Sequence, residues 1–220
     1  MKREVIKTAD GSSTISVPEL NEHYHSVNGA IAEANHVYIN AGFKELEQKQ
    51  ISILEIGFGT GLNALLTLLN SIDDEKNVFY QGVEAYPVST AELSALNYIE
   101  ELNAQKSSDL YNLMHDCDWE VETKITDNFT LLKQKKSFKE IDDVSKFDLI
   151  YFDAFGPDVQ PDLWTEDIFM RMYESLKPNG ILVTYSSKGI VKRALRSVGF
   201  TVKRLAGPKG KRHILRASKL

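Results

Sequence analysis

A doubly wound α/β domain, with a mainly parallel sheet and an antiparallel edge, is what this sequence predicts. Three observations carry that expectation. Short apolar runs alternate with helical stretches through most of the chain, the pattern of parallel strands joined by helical crossovers. A glycine-rich loop, Gly57-Phe58-Gly59-Thr60-Gly61, stands between one such strand and the helix after it. Carboxylates then close the following strands at Glu84, Asp127 and Asp153.

In chain order, residues 1–20 read as a hairpin, Glu4–Thr8 and Ser13–Val17 flanking a turn at Asp10-Gly11-Ser12. Residues 27–48 read as helical with a break at Gly42. Ile51–Ile56 is a short apolar strand, and Leu62–Leu69 a helix behind the glycine loop. Asn77–Val83 is the second strand of the sheet, and Val88–Glu101 is helical. Glu120–Ile125 and Phe147–Phe152 are the third and fourth strands. A helix over Asp167–Leu176 stops at the turn Lys177-Pro-Asn-Gly180, and Ile181–Tyr185 is the fifth strand. After a helix over Gly189–Val198, Phe200–Leu205 and Arg212–Ala217 form the antiparallel edge, which makes seven strands in all. The organisation expected is an N-terminal extension over residues 1–48 and a Rossmann-like domain over 49–220.

Composition narrows the class. Apolar residues at 42% and charged residues at 26% are ordinary for a globular protein. No run approaches the roughly 18 apolar residues of a membrane span. No apolar stretch follows the charged start, so no signal peptide is expected. The single cysteine, Cys117, has no disulfide partner in the chain and reads as an ordinary thiol, which fits a cytoplasmic location. His23 and His25 lack a third ligand at a recognisable spacing, so no metal is expected.

Charge is segregated. The net charge is −5, yet no Asp or Glu follows Glu174 and the last 44 residues carry 12 Lys and Arg. Such asymmetry suits a basic face for a polyanion, or solvated surfaces of the last helix and strands.

The glycine loop lets the backbone turn tightly and approach a ligand. Its G-x-G-x-G spacing is neither the dinucleotide fingerprint nor a P-loop. Ligands of open α/β sheets bind outside the carboxyl ends of the strands. Glu55 there suits an ammonium group and Glu84 a ribose diol, so the loop and the strand-end acids together indicate a nucleoside cofactor.

These features resemble the class I S-adenosylmethionine methyltransferases: an acid-x-Gly-x-Gly-x-Gly motif at Glu55–Gly61, an acid after strand two at Glu84, and a Lys-Pro-x-Gly turn at Lys177–Gly180. A more specific motif follows. Asp153-Ala-Phe155-Gly-Pro157-Asp-Val-Gln-Pro161-Asp-Leu-Trp164 is similar to the D-A-F-x-P-x-x-x-P-x-x-W motif of the MnmC/MnmD-type tRNA methyltransferases. Tyr24-His-Ser26-Val-Asn-Gly29-Ala-Ile-Ala-Glu33 resembles that family's Y-x-S-x-x-G-x-x-E segment, and Gly207-Pro-Lys-Gly-Lys-Arg212 also fits. Thr126 departs from the family, where glycine is common.

The resemblance implies a tRNA-modifying enzyme. It would transfer a methyl group from S-adenosylmethionine to the primary amine of 5-aminomethyl-2-thiouridine at the wobble position. It implies the stand-alone methyltransferase form without the flavin-dependent oxidase, the amine coming from a separate enzyme. The partner is the tRNA anticodon loop, and no membrane is involved. A small-amine or protein N-methyltransferase is the alternative. Cofactor contacts are expected from Glu55, Gly57, Phe58, Gly59, Thr60, Gly61, Asn63, Glu84, Ala85, Asp127, Asn128 and Asp153. Substrate contacts are expected from Tyr24, Ser26, Glu33, Phe155, Trp164, Tyr185 and Lys188.

The chemistry asks for two things. The reactants must be aligned, and the amine must be neutral to attack, which calls for a carboxylate to orient it and take its proton. Asp153 is the candidate, either in that role or as a loop cap that touches only the cofactor. Phe155 and Trp164 sit in a loop stiffened by Pro157 and Pro161, where aromatics either stack a splayed base or pack on the domain. Phe58 is expected to pack beneath the cofactor. Lys188 reads as a phosphate contact or a surface lysine. Unaided by the resemblance, Tyr24 and Glu33 read as surface residues.

Overall fold

The computed structural model describes residues 2–220. Its centre is an eight-stranded sheet flanked on both faces by helices. β1 (Glu4–Lys7), β2 (Ser13–Val17) and β3 (Glu22–His23) form a separate three-stranded antiparallel sheet. The central sheet begins with β4 (Gln50–Ile56) and β5 (Asn77–Val83). It continues through β6 (Glu122–Thr126), β7 (Phe129–Gln134), β8 (Phe147–Phe152), β9 (Leu176–Thr184), β10 (Thr201–Ala206) and β11 (His213–Ser218). The strand order is β10-β11-β9-β8-β4-β5-β7-β6.

Strands β9, β8, β4, β5 and β7 are parallel. Both of their faces are covered, which is why β4 and β8 read as continuous apolar runs. The chain steps from β4 to β5 in one direction and later returns to β8 on the other side of β4. That reversal opens a crevice at the carboxyl ends of β4, β5 and β8.

Helix α1 (Ala30–Ala34) widens into a π-helical turn over Asn35–Asn40. Ala30, Ala34, Val37, Tyr38 and Ile39 share one apolar cluster with Ile53, Leu65 and Tyr151, so this segment packs against the central sheet. Helix α2 (Leu62–Asp73) is buried nearly all round over its first two turns. Two short helices, α3 (Thr90–Leu93) and α4 (Tyr98–Glu101), precede α5 (Ser108–Asp116). The opposite face is covered by α6 (Glu166–Ser175) and α7 (Gly189–Ser197). The two ends of the chain meet: the His36 Nε2 and the Ala206 carbonyl lie 2.8 Å apart, and Asn28 fills the space above Gly210.

Several expectations are corrected. The sheet has eight strands rather than seven, because Glu122–Thr126 is an antiparallel edge strand and the parallel third strand is β7. β7 escaped notice because its apolar run, Phe-Thr-Leu-Leu, leads straight into a charged stretch and carries a buried lysine, Lys133. The Lys177–Gly180 turn is a bulge within β9, since Phe147 pairs with Leu176 and Leu149 already pairs with Ile181. The helix expected over 88–101 is two short ones. The segment 27–48 is helical only in short pieces, an α-turn and a π-turn before the expected break at Gly42 and a 3₁₀-turn after it. Helix α5 was not expected; its buried face is only Tyr111 and Met114.

Candidate active site

The glycine loop forms the floor of the crevice. Gly57 and Gly59 both have positive φ, +90° and +50°. A Cβ on Gly57 would lie 2.7 Å from the Asp153 carbonyl oxygen, so only glycine lets the loop lie against the end of β8. Phe58 turns down, buried, against Gly82 and edge-on to His115 and Trp119. Thr60 is locked by hydrogen bonds from the Tyr98 and Tyr111 hydroxyls. Gly61 starts α2 and contributes conformation rather than cavity surface. At the end of β5, Glu84 accepts hydrogen bonds from the Gly59 and Tyr86 amides, at 3.1 and 2.9 Å. Ala85 follows it along the wall.

Asn63, in the first turn of α2, joins two carboxylates. Its Nδ2 donates to Glu55 Oε1 at 2.9 Å and to Asp153 Oδ2 at 2.8 Å. Tyr80 holds the other Glu55 oxygen at 2.8 Å, and Tyr38 the other Asp153 oxygen at 2.6 Å. Asn63 Oδ1 is buried without a partner, an open acceptor in a residue that lines the cavity. Burial holds the Glu55 carboxyl well above the usual carboxylate range, against the hydrogen bonds from Asn63 and Tyr80. Burial likewise pushes Asp153 up to about 7; the Tyr38 and Asn63 hydrogen bonds pull it down, Glu33 pushes it up and Lys211 pulls it down. Asp153 is therefore poised to gain or lose a proton near neutrality.

One cavity of about 900 Å³ runs from the glycine loop past Asp153 to a wall built by Tyr24, Ser26, Glu33, Phe155, Tyr185 and Lys188. The Tyr24 and Phe155 rings meet edge to face at 5.2 Å, and the Arg3 guanidinium lies 5.6 Å from the Tyr24 ring centre. Glu33 accepts the Ser26 amide and pairs with Lys211, whose ammonium sits 4.1 Å from the Tyr185 ring centre. Lys188 pairs with Asp158 across the mouth.

Three expected site residues lie elsewhere. Trp164 is buried: its Nε1 donates to the Phe155 carbonyl at 2.8 Å, and its ring packs on Phe152, Phe169 and Tyr185. It anchors the loop and has no free face for a base. Asp127 and Asn128 form the β6–β7 turn at the amino end of the sheet, in a shallow groove with Gln50, Asn77 and Lys177. That is the wrong end for the cofactor crevice. The mistake follows from taking the antiparallel β6 for the third parallel strand. At the carboxyl end of β7 the cavity is lined instead by Ser137, Phe138 and Lys139.

A family model for S-adenosyl-L-methionine-dependent methyltransferases matches residues 99–220, more than half of the chain. The chain belongs to that family. Among its relatives, this methyltransferase is 30% identical to the tRNA 5-methylaminomethyl-2-thiouridine biosynthesis bifunctional protein MnmC of Burkholderia multivorans, over 92% of this chain and 33% of that protein. It is 29% identical to the protein of the same name from Campylobacter fetus, over 91% of this chain and 33% of that one. The chain thus spans about a third of the length of these curated relatives. The crystal structure of MnmC2 from Aquifex aeolicus superposes with a TM-score of 0.79 at 25% identity, covering 99% of this chain and 70% of that one. A spermidine synthase from Thermotoga maritima shares the fold, with a TM-score of 0.63 at 15% identity over 99% of this chain and 70% of that one.

The methyltransferase site fits S-adenosylmethionine. The Gly57–Gly59 cradle admits no side chain, the Glu84 carboxylate stands at the end of the second parallel strand for a ribose diol, and the unpartnered Asn63 Oδ1 suits a donor such as an amino group. Sequence reasoning missed Tyr38, Lys211, Arg3 and Ser137–Lys139. Lys211 stood within the Gly207–Arg212 motif; Tyr38, in an apolar stretch, gave no sign beyond core packing.

Proposed function

We propose that this chain methylates the primary amine of 5-aminomethyl-2-thiouridine at the tRNA wobble position, giving 5-methylaminomethyl-2-thiouridine. The observation that carries this reading is the placement of Asp153, a carboxyl held by Tyr38 and Asn63 where the glycine-loop crevice joins an aromatic-walled acceptor side. The names of the MnmC relatives support the choice of substrate.

When bound, S-adenosylmethionine supplies an electrophilic methyl group. Glu84, Asn63 and the glycine loop orient it, with Glu55 acting through Asn63. Residues 1–48 serve the domain over 49–220 as an extension that brings Tyr24, Ser26 and Glu33 to the acceptor side. Tyr24 and Phe155 offer ring surface to an unstacked uridine. Asp153 orients the amine and takes its proton. The anticodon loop is the partner in this reading, a separate enzyme supplies the aminomethyl group, and the setting is the cytoplasm. Among the described residues no helix is long and apolar enough to cross a membrane.

The test is methyl transfer from labelled S-adenosylmethionine to tRNA carrying 5-aminomethyl-2-thiouridine, followed by nucleoside analysis. Label in the methylaminomethyl nucleoside is expected, and Asp153→Ala should lose most turnover while cofactor affinity changes by several-fold at most. Cofactor binding with no label in tRNA overturns the tRNA assignment and directs the search to small amines and protein side chains.

A further inference from the structure

The β10–β11 hairpin tip carries Lys209, Lys211 and Arg212. Lys209 and Arg212 are exposed, whereas Lys211 turns inward and lines the cavity. Its ammonium meets the largely buried Glu33 carboxylate and the face of Tyr185. Asp153 feels its charge, since Lys211 holds that carboxyl down while Glu33 pushes it up. A carboxylate and an aromatic face beside a second carboxyl form a cation site. This one lies next to the group proposed to accept the substrate's proton.

We propose that the Lys211 ammonium occupies the subsite of the acceptor's own ammonium, and that a cationic primary amine binds by displacing it from Glu33 and Tyr185. The inference rests on the function proposed above and specifies how its acceptor is recognised. An alkylamine arrives protonated near pH 7, as its pKa resembles that of a lysine. It therefore needs a site that stabilises an ammonium before Asp153 removes one proton. Two ammonium groups cannot share one carboxylate without repulsion, so Lys211 must leave, and its flexible four-carbon stem can swing to solvent beside Lys209 and Arg212. Meanwhile Lys211 keeps Glu33 paired in the free protein, where an isolated buried carboxylate would be costly. A neutral analogue has no charge with which to replace Lys211 and gains nothing at Glu33. The subsite thus selects for cationic acceptors.

The test is calorimetric binding to the full chain saturated with S-adenosylhomocysteine. The probes are 5-aminomethyluridine and its neutral counterpart 5-methyluridine, and their affinity ratio is the readout. In Lys211→Met the ratio should rise about tenfold, the scale of one partly buried charge pair. In Glu33→Gln it should fall below the wild-type value. Lys211→Gln, with its thermal midpoint matched to wild type, repeats the measurement should the methionine disturb the wall. An unchanged or lowered ratio in both Lys211 variants overturns the subsite, as does failure of the aminomethyl nucleoside to bind any variant. Labelling of tRNA is scored separately on the wild type. A raised ratio without tRNA labelling keeps the ammonium subsite and discards the tRNA reading; tRNA labelling with an unchanged ratio does the reverse.

Discussion

The Tyr38 hydroxyl donates a 2.6 Å hydrogen bond to Asp153 Oδ1, although the two residues lie 115 positions apart. Tyr38 is delivered by the π-helical turn, a geometry often found at functional sites. Its hydroxyl favours the ionised carboxylate, so it opposes the burial that pushes Asp153 up to about 7. Removing it in Tyr38→Phe should raise the Asp153 pKa. The acidic limb of the kcat/KM profile should move to higher pH, activity at pH 7 should fall several-fold, and the alkaline plateau should be regained. A uniform loss at every pH would instead mean that Tyr38 only packs.

Asp153 also links stability to pH. Its folded pKa lies above the ordinary carboxylate value, so between about pH 4 and 7 the folded protein binds more protons than the unfolded chain. Stability should therefore fall as pH rises through that window, with the loss complete above about 7. Asp153→Asn removes the titrating group. It should melt a few degrees higher than wild type at pH 8 and close to wild type at pH 4, while losing turnover. Paired thermal scans at the two pH values check this.

Trp164 separates two meanings of an aromatic in a substrate loop. If it anchors the loop, Trp164→Ala should cost about 3–5 kcal/mol in denaturant unfolding. Trp164→Phe should cost about 1 kcal/mol, since it removes only the hydrogen bond to the Phe155 carbonyl and some ring area. Had it stacked on a base, the loss would fall on KM with the unfolding midpoint unchanged.

Two of the four carboxylates expected on the cofactor, Glu84 and Asp127, should behave differently. Glu84→Ala should weaken S-adenosylhomocysteine binding by at least about tenfold, as expected for a lost charge-assisted hydrogen-bonding partner. Asp127→Ala, on a fully exposed side chain in the β6–β7 turn, should change it less than twofold. Isothermal titration of both variants decides whether the strand assignment drawn from the structure is the right one.

These cases show where sequence was sufficient. β4, β5 and β8 were legible because strands buried on both faces have no polar alternation to confuse them, and the glycine loop because its positive φ angles demand glycine. The Asp153–Pro161 loop was legible as a motif, yet the role of Trp164 was not: stacking and anchoring ask for the same side chain. Glu33 and the motif that contains Lys211 were suggested only by resemblance, and Tyr38 not at all. Glu33 and Lys211 stand 178 positions apart, Tyr38 and Asp153 stand 115 apart, and Tyr38 depends besides on a π-turn that no periodicity announces.

The meeting of the two chain ends has a consequence for biosynthesis. His36 waits 170 residues for Ala206, and at about 5–20 residues per second that interval is on the order of 10–30 s. The glycine loop, α2 and β5 are translated well before it closes, whereas the wall holding Glu33 gains Lys211 only after β10. The donor half of the site therefore matures on the nascent chain first. The wall that joins Glu33 to Lys211 is assembled only after the glycine loop and every strand of the central sheet but β11 have been made.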